Sequence, residues 1–486
     1  MLQLILLCCL LLCPGYRSGP ASVVDFATRR ERLEEAYLPV WSELASEANT
    51  KKAFATRNRC YRAILGIDPD HLAARRGLKY KRVDGEWVEN PSRRPAKDAK
   101  SKTVEKLAAE VDASILEYRD AVLALIEKHA EELGPGGVVD AQRRLLVLDS
   151  ESALIHGLLG EIKLGEQWML VETARSIERR EALRMTAKAS YEALESPASA
   201  TPDGFEVELG IDWTAALETE RVRVLGTGEP QEVEQILRAA HAMHGLIIEA
   251  LGREVALDRH FTLYSLARPK DLELLFNQLP TVRKDPSAAI TQATGGWLGL
   301  DSRFGNWSLD RPRRVDGSIR GVVSQYLKNG FRIGLRNGWA SEGLGLYLVE
   351  VMVGTRLTWF EREERYVDEE RAGEKEDFSL ESTELNWMVE GRELLTAEDA
   401  PRLGALIGRP VGTMSSSDLL HAYLLASFLI EGRSQQLPAL LDAIGAGQNP
   451  TLAFERILGE GLPNLETRLR RWVVEISQYE EASRTK

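Results

Sequence analysis

The chain has 486 residues, of which 44% are hydrophobic and 28% are charged. This composition is typical of globular proteins, and the length allows two or three domains that each bury a core. The formal net charge of −12 argues against a general nucleic-acid-binding protein, because binding to phosphates needs a concentrated basic surface.

The N-terminus carries an apolar stretch from Leu2 to Cys13, which small residues follow up to Ala21. About 12 apolar residues are too few to span a bilayer, but they are typical of a signal peptide, which we place at residues 1–21. We therefore predict an exported protein of the periplasm, the cell envelope or the extracellular space. Leu12 stands where lipidation requires a small residue, which argues against lipoprotein anchoring at Cys13. No later segment has about 18 uninterrupted apolar residues, so we expect no membrane span after signal cleavage.

Cysteine usage limits how the exported chain can be stabilised. Of the 4 cysteines, only Cys60 follows the predicted signal peptide. We therefore expect no internal disulfide, and a zinc site built from several cysteines is excluded. The predicted mature protein has to be held together by the packing of its core.

The first region, residues 22–189, has the spacing of amphipathic helices. Tyr37, Trp41 and Leu44 recur at intervals of three or four residues, as one face of a helix requires. The region is therefore predicted to be helical, with short interruptions.

Two copies of a repeat lie in this region, at about residues 59–90 and 140–171, and they place Trp87 and Trp168 81 positions apart. Each copy predicts a helix, an acidic turn, a second helix and a short strand element that carries the Trp. One interpretation is a helical-repeat surface for partners. We favour the other, a packing unit in which the Trp covers the helix pair, because a Trp in a short repeat is usually part of a core.

From about residue 201 the pattern changes to strands that alternate with helices, and the chain becomes mostly helical beyond Ser318. Alternating apolar residues predict strands, and three-to-four spacing predicts helices. The predicted elements are strands at 221–225 and 260–264, helices at 231–251 and 269–279, and a hairpin from segments 294–300 (TGGWLGL) and 306–309 (NWSL). We predict an α+β, predominantly helical protein.

Residues 339–348, WASEGLGLYL, carry the most specific motif of the chain. The segment closely resembles the third-ligand helix of bacterial gluzincin-like domains, whose pattern is W-x-x-E-G-x-A-x-Y. Gluzincins are zinc metallopeptidases in which two His of an HExxH helix and a later Glu hold the metal, while the Glu of HExxH acts as general base. The resemblance covers most of residues 201–480. It implies a small mixed sheet with helices followed by a helical C-terminal subdomain, and it aligns Glu342 with the zinc-binding Glu.

The five residues that stand in place of HExxH are Ser324 to Lys328, SQYLK. A serine hydroxyl at 324 is a poor zinc ligand, and Gln325 cannot accept a proton as a carboxylate does. Lys328 is positively charged and repels Zn²⁺. With Glu342 as the single retained ligand, we expect no zinc, no other cofactor and no catalytic residue, because one carboxylate does not hold a catalytic metal.

Two further expectations concern the surroundings of this degenerate site. Lys328 could take the place of the lost cation and pair with Glu342; alternatively both side chains face water. His421 and Tyr423 lie on a predicted helix, residues 418–430, that the resemblance places near the cleft, where they could line a residual groove.

The sequence therefore predicts an exported pseudopeptidase, a gluzincin-like protein without catalysis that binds peptides or partner proteins. One alternative is an active hydrolase or metallopeptidase with a non-standard site. The other is a structural cell-envelope protein whose cleft is filled by side chains.

Overall fold

A computed structural model describes most of the chain, and the predicted signal peptide lies almost entirely outside the described residues. The described ranges are 21–90, 97–255, 261–278, 289–291, 295–300, 302–357 and 386–484. The fold is predominantly helical with small sheets, as predicted. It divides into two compact units, Met1–Leu170 and Val171–Lys486.

The first unit is built from helices and two short hairpins. Its core surrounds Trp41, which is fully buried, donates from Nε1 to Ser114 Oγ at 3.1 Å and meets the ring of Tyr118 edge-on. Cys60 is buried beside it, and burial raises the pKa of its thiol to about 12. The elements are α1 Ala21–Thr50, α2 Phe54–Ile67, α3 Leu72–Gly77, β1 Lys81–Val83, β2 Glu86–Val88, α4 Lys102–Lys128, α5 Ala130–Leu145, α6 Ala153–Leu158, β3 Glu161–Leu164 and β4 Gln167–Leu170.

The two predicted repeat copies fold as the same unit: a helix, a turn, a short helix and an antiparallel hairpin with a two-residue turn. Trp87 and Trp168 are half-buried rather than buried. Their indole N–H groups donate to the acidic turn before the short helix, Trp87 to Asp70 at 3.0 Å and Trp168 to Glu151 at 3.2 Å. Each Trp therefore ties its hairpin to a turn, and its ring is not part of a closed core.

The second unit begins with a helix, α7 Val171–Glu192, that packs against helix α9 of the same unit, Pro230–Leu251. The sequence instead predicts that the helical first region continues to residue 189. The boundary between the units therefore falls earlier than predicted. The reason is that α7 packs against other helices of the second unit, to which it belongs.

A seven-stranded mixed sheet forms the first layer of the second unit, with a helix, α8 Gly204–Glu208, before its second strand. The neighbouring strands run in the order β5, β6, β7, β8, β11, β10, β9, and only the pairs β7 with β8 and β8 with β11 are parallel. The strands are β5 Ala198–Ser199, β6 Ala215–Glu218, β7 Val222–Gly226, β8 Phe261–Leu266, β9 Ala289–Thr291, β10 Gly295–Leu300 and β11 Arg303–Ser308; the helix between β8 and β9 is α10 Pro269–Gln278.

Local chemistry explains several of these elements. Helix α9 connects the parallel strands β7 and β8; it has Pro230 in its first turn and ends at Gly252, whose φ of 64° lies in the left-handed region. The predicted hairpin is confirmed, since β10 pairs with β11 along its whole length. The GGWLGL segment, β10, is not an edge strand of the sheet, because β9 pairs with its other side.

The rest of the second unit is helical, and one helix, α11 Arg311–Phe331, lies against the sheet. A Cβ at Gly321 would lie 2.4 Å from the ring of Phe304 on β11, so this glycine permits the close approach. A one-turn π-helix, Trp339–Gly343, continues directly into the next helix. Among the described residues, none of the helices combines the length and the apolar character that a membrane span requires. The other helices are α12 Leu344–Val353, α13 Trp387–Thr396, α14 Leu403–Leu406, α15 Ser416–Gly432, α16 Leu437–Gly445, α17 Pro450–Leu458 and α18 Leu462–Arg484.

Candidate functional site

Four polar residues of α11 recur at intervals of four positions and therefore follow one stripe of the helix. Asp316 and Arg320 are buried, whereas Ser324 and Lys328 are exposed. Gln325, beside this stripe, is half-buried and donates to Asn329 at 3.2 Å. One stripe of the helix thus passes from a buried charged turn to an exposed polar turn.

Glu342 lies in the one-turn π-helix that precedes α12 and is buried. The helical segment is held by Trp339, which is fully buried and meets the ring of Phe454 edge-on. Gly343 follows, and a Cβ there would lie 2.3 Å from the carbonyl oxygen of Ala422 on α15. The glycine after Glu342 is therefore required by the close packing of this segment on α15.

The cation that pairs with Glu342 is Arg320. Its Nη2 lies 2.7 Å from Glu342 Oε2, and its Nη1 lies 3.5 Å from the backbone oxygen of the same residue. The proposed pair between Lys328 and Glu342 is therefore wrong. The alternative, in which both side chains face water, is wrong for Glu342, because this residue is buried. A charge buried in the protein needs a partner of opposite charge.

Asp316 extends the buried cluster on the other side of Arg320 along the helix. Its Oδ2 accepts hydrogen bonds from Thr355 Oγ1 at 2.8 Å and from the backbone N–H of Leu357 at 3.2 Å. Burial raises the pKa of Asp316, and the nearby charge of Arg320 opposes that shift. The carboxylate therefore fastens the segment after α12 to α11.

The side chains of this cluster do not fit a zinc site. A guanidinium has five donors and no acceptor, so Arg320 cannot be a metal ligand, and it occupies the Glu342 carboxylate. Among the described residues, no group of three or more His, Cys, Asp or Glu side chains is placed to hold a metal ion. The cluster places the carboxylates of Asp316 and Glu342 around one cation, the guanidinium of Arg320.

A second buried polar cluster joins α7, α12, α15 and α18. Arg180 is buried and pairs with Glu431 at 2.7 Å and with Glu480 at 2.5 Å. Tyr347 donates to Glu431 at 2.9 Å, and Tyr423 donates to Glu350 at 2.8 Å. These hydrogen bonds give Tyr347 and Tyr423 a structural role between helices.

His421 and Tyr423 do not line an open groove, contrary to the expectation from sequence. His421 is 0% exposed and Tyr423 is 2% exposed, because α15 is buried on all of its sides from Asp418 to Glu431. Neither ring nitrogen of His421 has a hydrogen-bond partner among the described residues, and burial lowers the pKa of the imidazole to about 4. His421 is thus a neutral core residue.

The sequence motif singles out Glu342, which is buried, but it gives no indication of its partner Arg320 or of Asp316. The signal that identifies Arg320 is a charged residue within an apolar stretch, with Ile319 before it and Val322 after it. Charged residues are almost never fully buried unless they are paired, so such a position requires a buried carboxylate.

No protein-family model matches this chain, and neither a curated protein nor a solved structure matches it. The resemblance to gluzincins, whose most specific part is residues 339–348, is therefore a hypothesis. The ion pair between Arg320 of α11 and Glu342 provides a way to test it.

Proposed function

We propose that the second unit is a catalytically inactive, gluzincin-like domain of an exported protein, and that it acts by binding peptides or partner proteins. The observation that carries the proposal is the buried ion pair between Arg320 of α11 and Glu342. A gluzincin brings a helix with two His and a later Glu together around zinc. Here a helix and a later Glu meet around a guanidinium.

This contact favours a different alignment of the lost motif. Arg320, the partner of Glu342, lies four positions after Asp316, which is the spacing of the two His of HExxH. Gly317 then stands where the general base belongs. The degenerate motif that we propose is Asp316-Gly317-Ser318-Ile319-Arg320, eight positions before the segment that the sequence alone favours.

Chemistry at this motif supports the absence of catalysis. Gly317 has no side chain to accept a proton, and the carboxylate of Asp316 is held by Thr355 and Leu357. Arg320 does not lose its proton in proteins. Zinc binds and polarises a water molecule, which becomes the nucleophile. A guanidinium does neither, so the site lacks a nucleophile.

Binding is supported by the next turn of α11. Ser324 and Lys328 are exposed, and Gln325 is half-exposed, so one polar face stands directly beside the buried pair. Polar side chains that converge beside a rigid, buried anchor are what recognition of a peptide requires. In this proposal the degenerate site stabilises the domain and the exposed turn contacts the ligand.

The alignment can be tested with two double variants that place His pairs at the same spacing on α11. We expect Asp316→His/Arg320→His to bind one equivalent of zinc, and Ser324→His/Lys328→His to bind none, because only the first pair includes the position that contacts Glu342. Zinc content is measured by atomic spectrometry after dialysis, and circular dichroism shows that each variant is folded. Loss of the metal on further Glu342→Ala substitution completes the test.

Each other outcome contradicts part of the proposal. Zinc in Ser324→His/Lys328→His alone would restore the alignment derived from sequence. Zinc in neither double variant, both being folded, would contradict the gluzincin-like geometry. Stoichiometric zinc in the unmodified protein that disappears in Glu342→Ala would favour the active metallopeptidase.

Ligand binding is tested separately with a peptide library displayed on a surface. We expect Lys328→Glu to lower the binding of the selected peptides at least about tenfold, as loss of a charged contact does. Lys188→Glu, at an exposed lysine of α7, is the matched control and leaves binding unchanged. If the library selects no peptide for the folded protein, the structural cell-envelope protein becomes the better hypothesis.

A further inference from the structure

The start of α14 and the first turns of α18 in the second unit border a cavity of about 380 Å³. The charged side chains that line it are the guanidiniums of Arg402 and Arg470 and the carboxylate of Glu466. We propose that this cavity binds a small organic carboxylate that carries a short apolar group. The inference goes beyond the proposed function and does not rest on it, because the cavity does not include the exposed turn of α11.

Arg470 is positioned by a carboxylate one turn earlier on α18. Its Nη2 donates to Glu466 Oε1 at 2.6 Å, and this ion pair orients the planar guanidinium. Its Nε is buried and has no hydrogen-bond partner among the described residues. A guanidinium has five N–H donors, and a buried donor is unfavourable until an acceptor approaches it. A carboxylate is such an acceptor, and its two oxygens match the fork of a guanidinium.

Arg402 supplies the second guanidinium from the residue before α14. Its side chain is 81% exposed, so the cavity reaches the protein surface at this residue. Its Nη1 lies 3.5 Å from Glu466 Oε1. An exposed ion pair of this length contributes little to stability. The guanidinium of Arg402 is therefore able to turn towards a second carboxylate without a large cost to the fold.

Glu466 determines the net charge of the cavity wall. The residue is 8% exposed, and its Oε2 accepts a hydrogen bond from the backbone N–H of Leu403 at 3.1 Å, which ties α14 to α18. Two guanidiniums and one carboxylate leave one net positive charge on the wall. A monoanion neutralises this charge, whereas a dianion such as phosphate brings an excess negative charge beside Glu466. The charges of the wall therefore favour a carboxylate over a phosphate.

The rest of the wall is mainly apolar. Leu462 and Pro463 begin α18, and the hydroxyl of Thr467 already donates to the carbonyl oxygen of Pro463 at 2.9 Å. A Cβ at Gly404 of α14 would lie 3.8 Å from Leu462 Cδ1, so the glycine keeps space open beside the leucine. Sites for small molecules combine apolar walls with a few polar groups and have volumes of about 300–1,000 Å³. We therefore expect a ligand whose apolar group is no larger than a leucine side chain.

Calorimetric titration of the full chain with N-acetyl-leucine near neutral pH tests the proposal. N-acetyl-leucinamide is the matched probe, because it differs only in the amide that replaces the carboxylate. We expect the amide to bind at least about tenfold more weakly, as the loss of one hydrogen bond between charged groups implies. Inorganic phosphate is the third probe, and we expect it to bind more weakly than N-acetyl-leucine.

Two variants change the cavity without breaking the ion pair within α18. Arg402→Met removes the exposed guanidinium, and we expect it to weaken the binding of N-acetyl-leucine about tenfold. Gly404→Leu fills the apolar side of the cavity without changing any charge, and we expect it to abolish binding. Arg311→Met is the matched control, because Arg311 also makes a long exposed ion pair, 3.4 Å from Glu229, and lies outside the cavity.

Circular dichroism shows that each variant is folded. Lys328→Glu is expected to leave the affinity for N-acetyl-leucine unchanged, which separates this cavity from the proposed peptide-binding turn. Equal affinity for the acid and the amide, or phosphate binding as tight as that of N-acetyl-leucine, would overturn the proposal. So would unchanged affinity in folded Arg402→Met or Gly404→Leu, loss of binding in Lys328→Glu, or the lack of saturable binding to the unmodified protein.

Discussion

Two adjacent turns of α11 carry polar pairs with the same spacing and have opposite environments. The first pair, Asp316 and Arg320, is buried, and Arg320 pairs with Glu342, whereas the second pair, Ser324 and Lys328, is exposed. Spacing along a helix determines which residues share a stripe, and it leaves open which turn of that stripe meets another element. The position of Glu342 along the helix axis fits the burial of the first turn, and the side chains of Ser324 and Lys328 on the second turn stay exposed.

The comparison also shows how a buried carboxylate is accommodated. The buried Glu342 needs a nearby cation, because an uncompensated buried charge is strongly destabilising. Arg320 supplies that charge from the helix that faces Glu342.

The largest effect is expected from Arg320→Met, which leaves Glu342 buried and unpaired. We expect a loss of about 3–5 kcal/mol in the free energy of unfolding, measured by urea denaturation. Lys328→Met on the exposed turn is the matched control and stays within about 0.5 kcal/mol. Adding Glu342→Leu to Arg320→Met recovers much of the loss, because both charges are then removed. Equal losses for the two single variants would contradict the difference between the turns.

A smaller effect is expected at His421, a buried polar side chain without a partner for its ring nitrogens among the described residues. Its pKa is lowered to about 4 from 6.5, so the unfolded chain takes up a proton that the native state does not. Stability is therefore lost as the pH falls from about 6.5 to about 4, by about 3 kcal/mol. His421→Leu removes this component, and unfolding as a function of pH measures it. An acid limb that is as steep in the variant would show that His421 is not buried in its neutral form.

The smallest effect concerns the packing beneath the buried turn. Gly321→Ala places a Cβ 2.4 Å from the ring of Phe304, so either α11 or the ring has to move. We expect a loss of about 1–3 kcal/mol in thermal unfolding, as for other overpacked core positions. Gly334→Ala, where a Cβ would meet no atom within 4 Å, is the matched control. A neutral Gly321→Ala would mean that the helix does not approach β11 this closely.

Much of the architecture could be predicted from sequence, because it depends on neighbours along the chain. The hairpin of β10 and β11 follows from alternation, and the bounds of α9 follow from Pro230 and Gly252. The order of elements in both repeat copies follows from their internal similarity. The half-buried state of Trp87 and Trp168 could not be predicted in this way, because it depends on which acceptor each indole N–H bonds to in the folded chain.

The sequence by itself predicted that the chain is mostly helical beyond Ser318, and it singled out Glu342 through the resemblance of residues 339–348 to a gluzincin motif. Only the tertiary structure decided which cation meets Glu342 and which side chains stay exposed. It also decided that His421 and Tyr423 are buried rather than part of a groove. The physical reason is that secondary structure depends on residues a few positions apart, whereas the pairing of Arg320 with Glu342 depends on how two helical segments cross and on how far a guanidinium reaches.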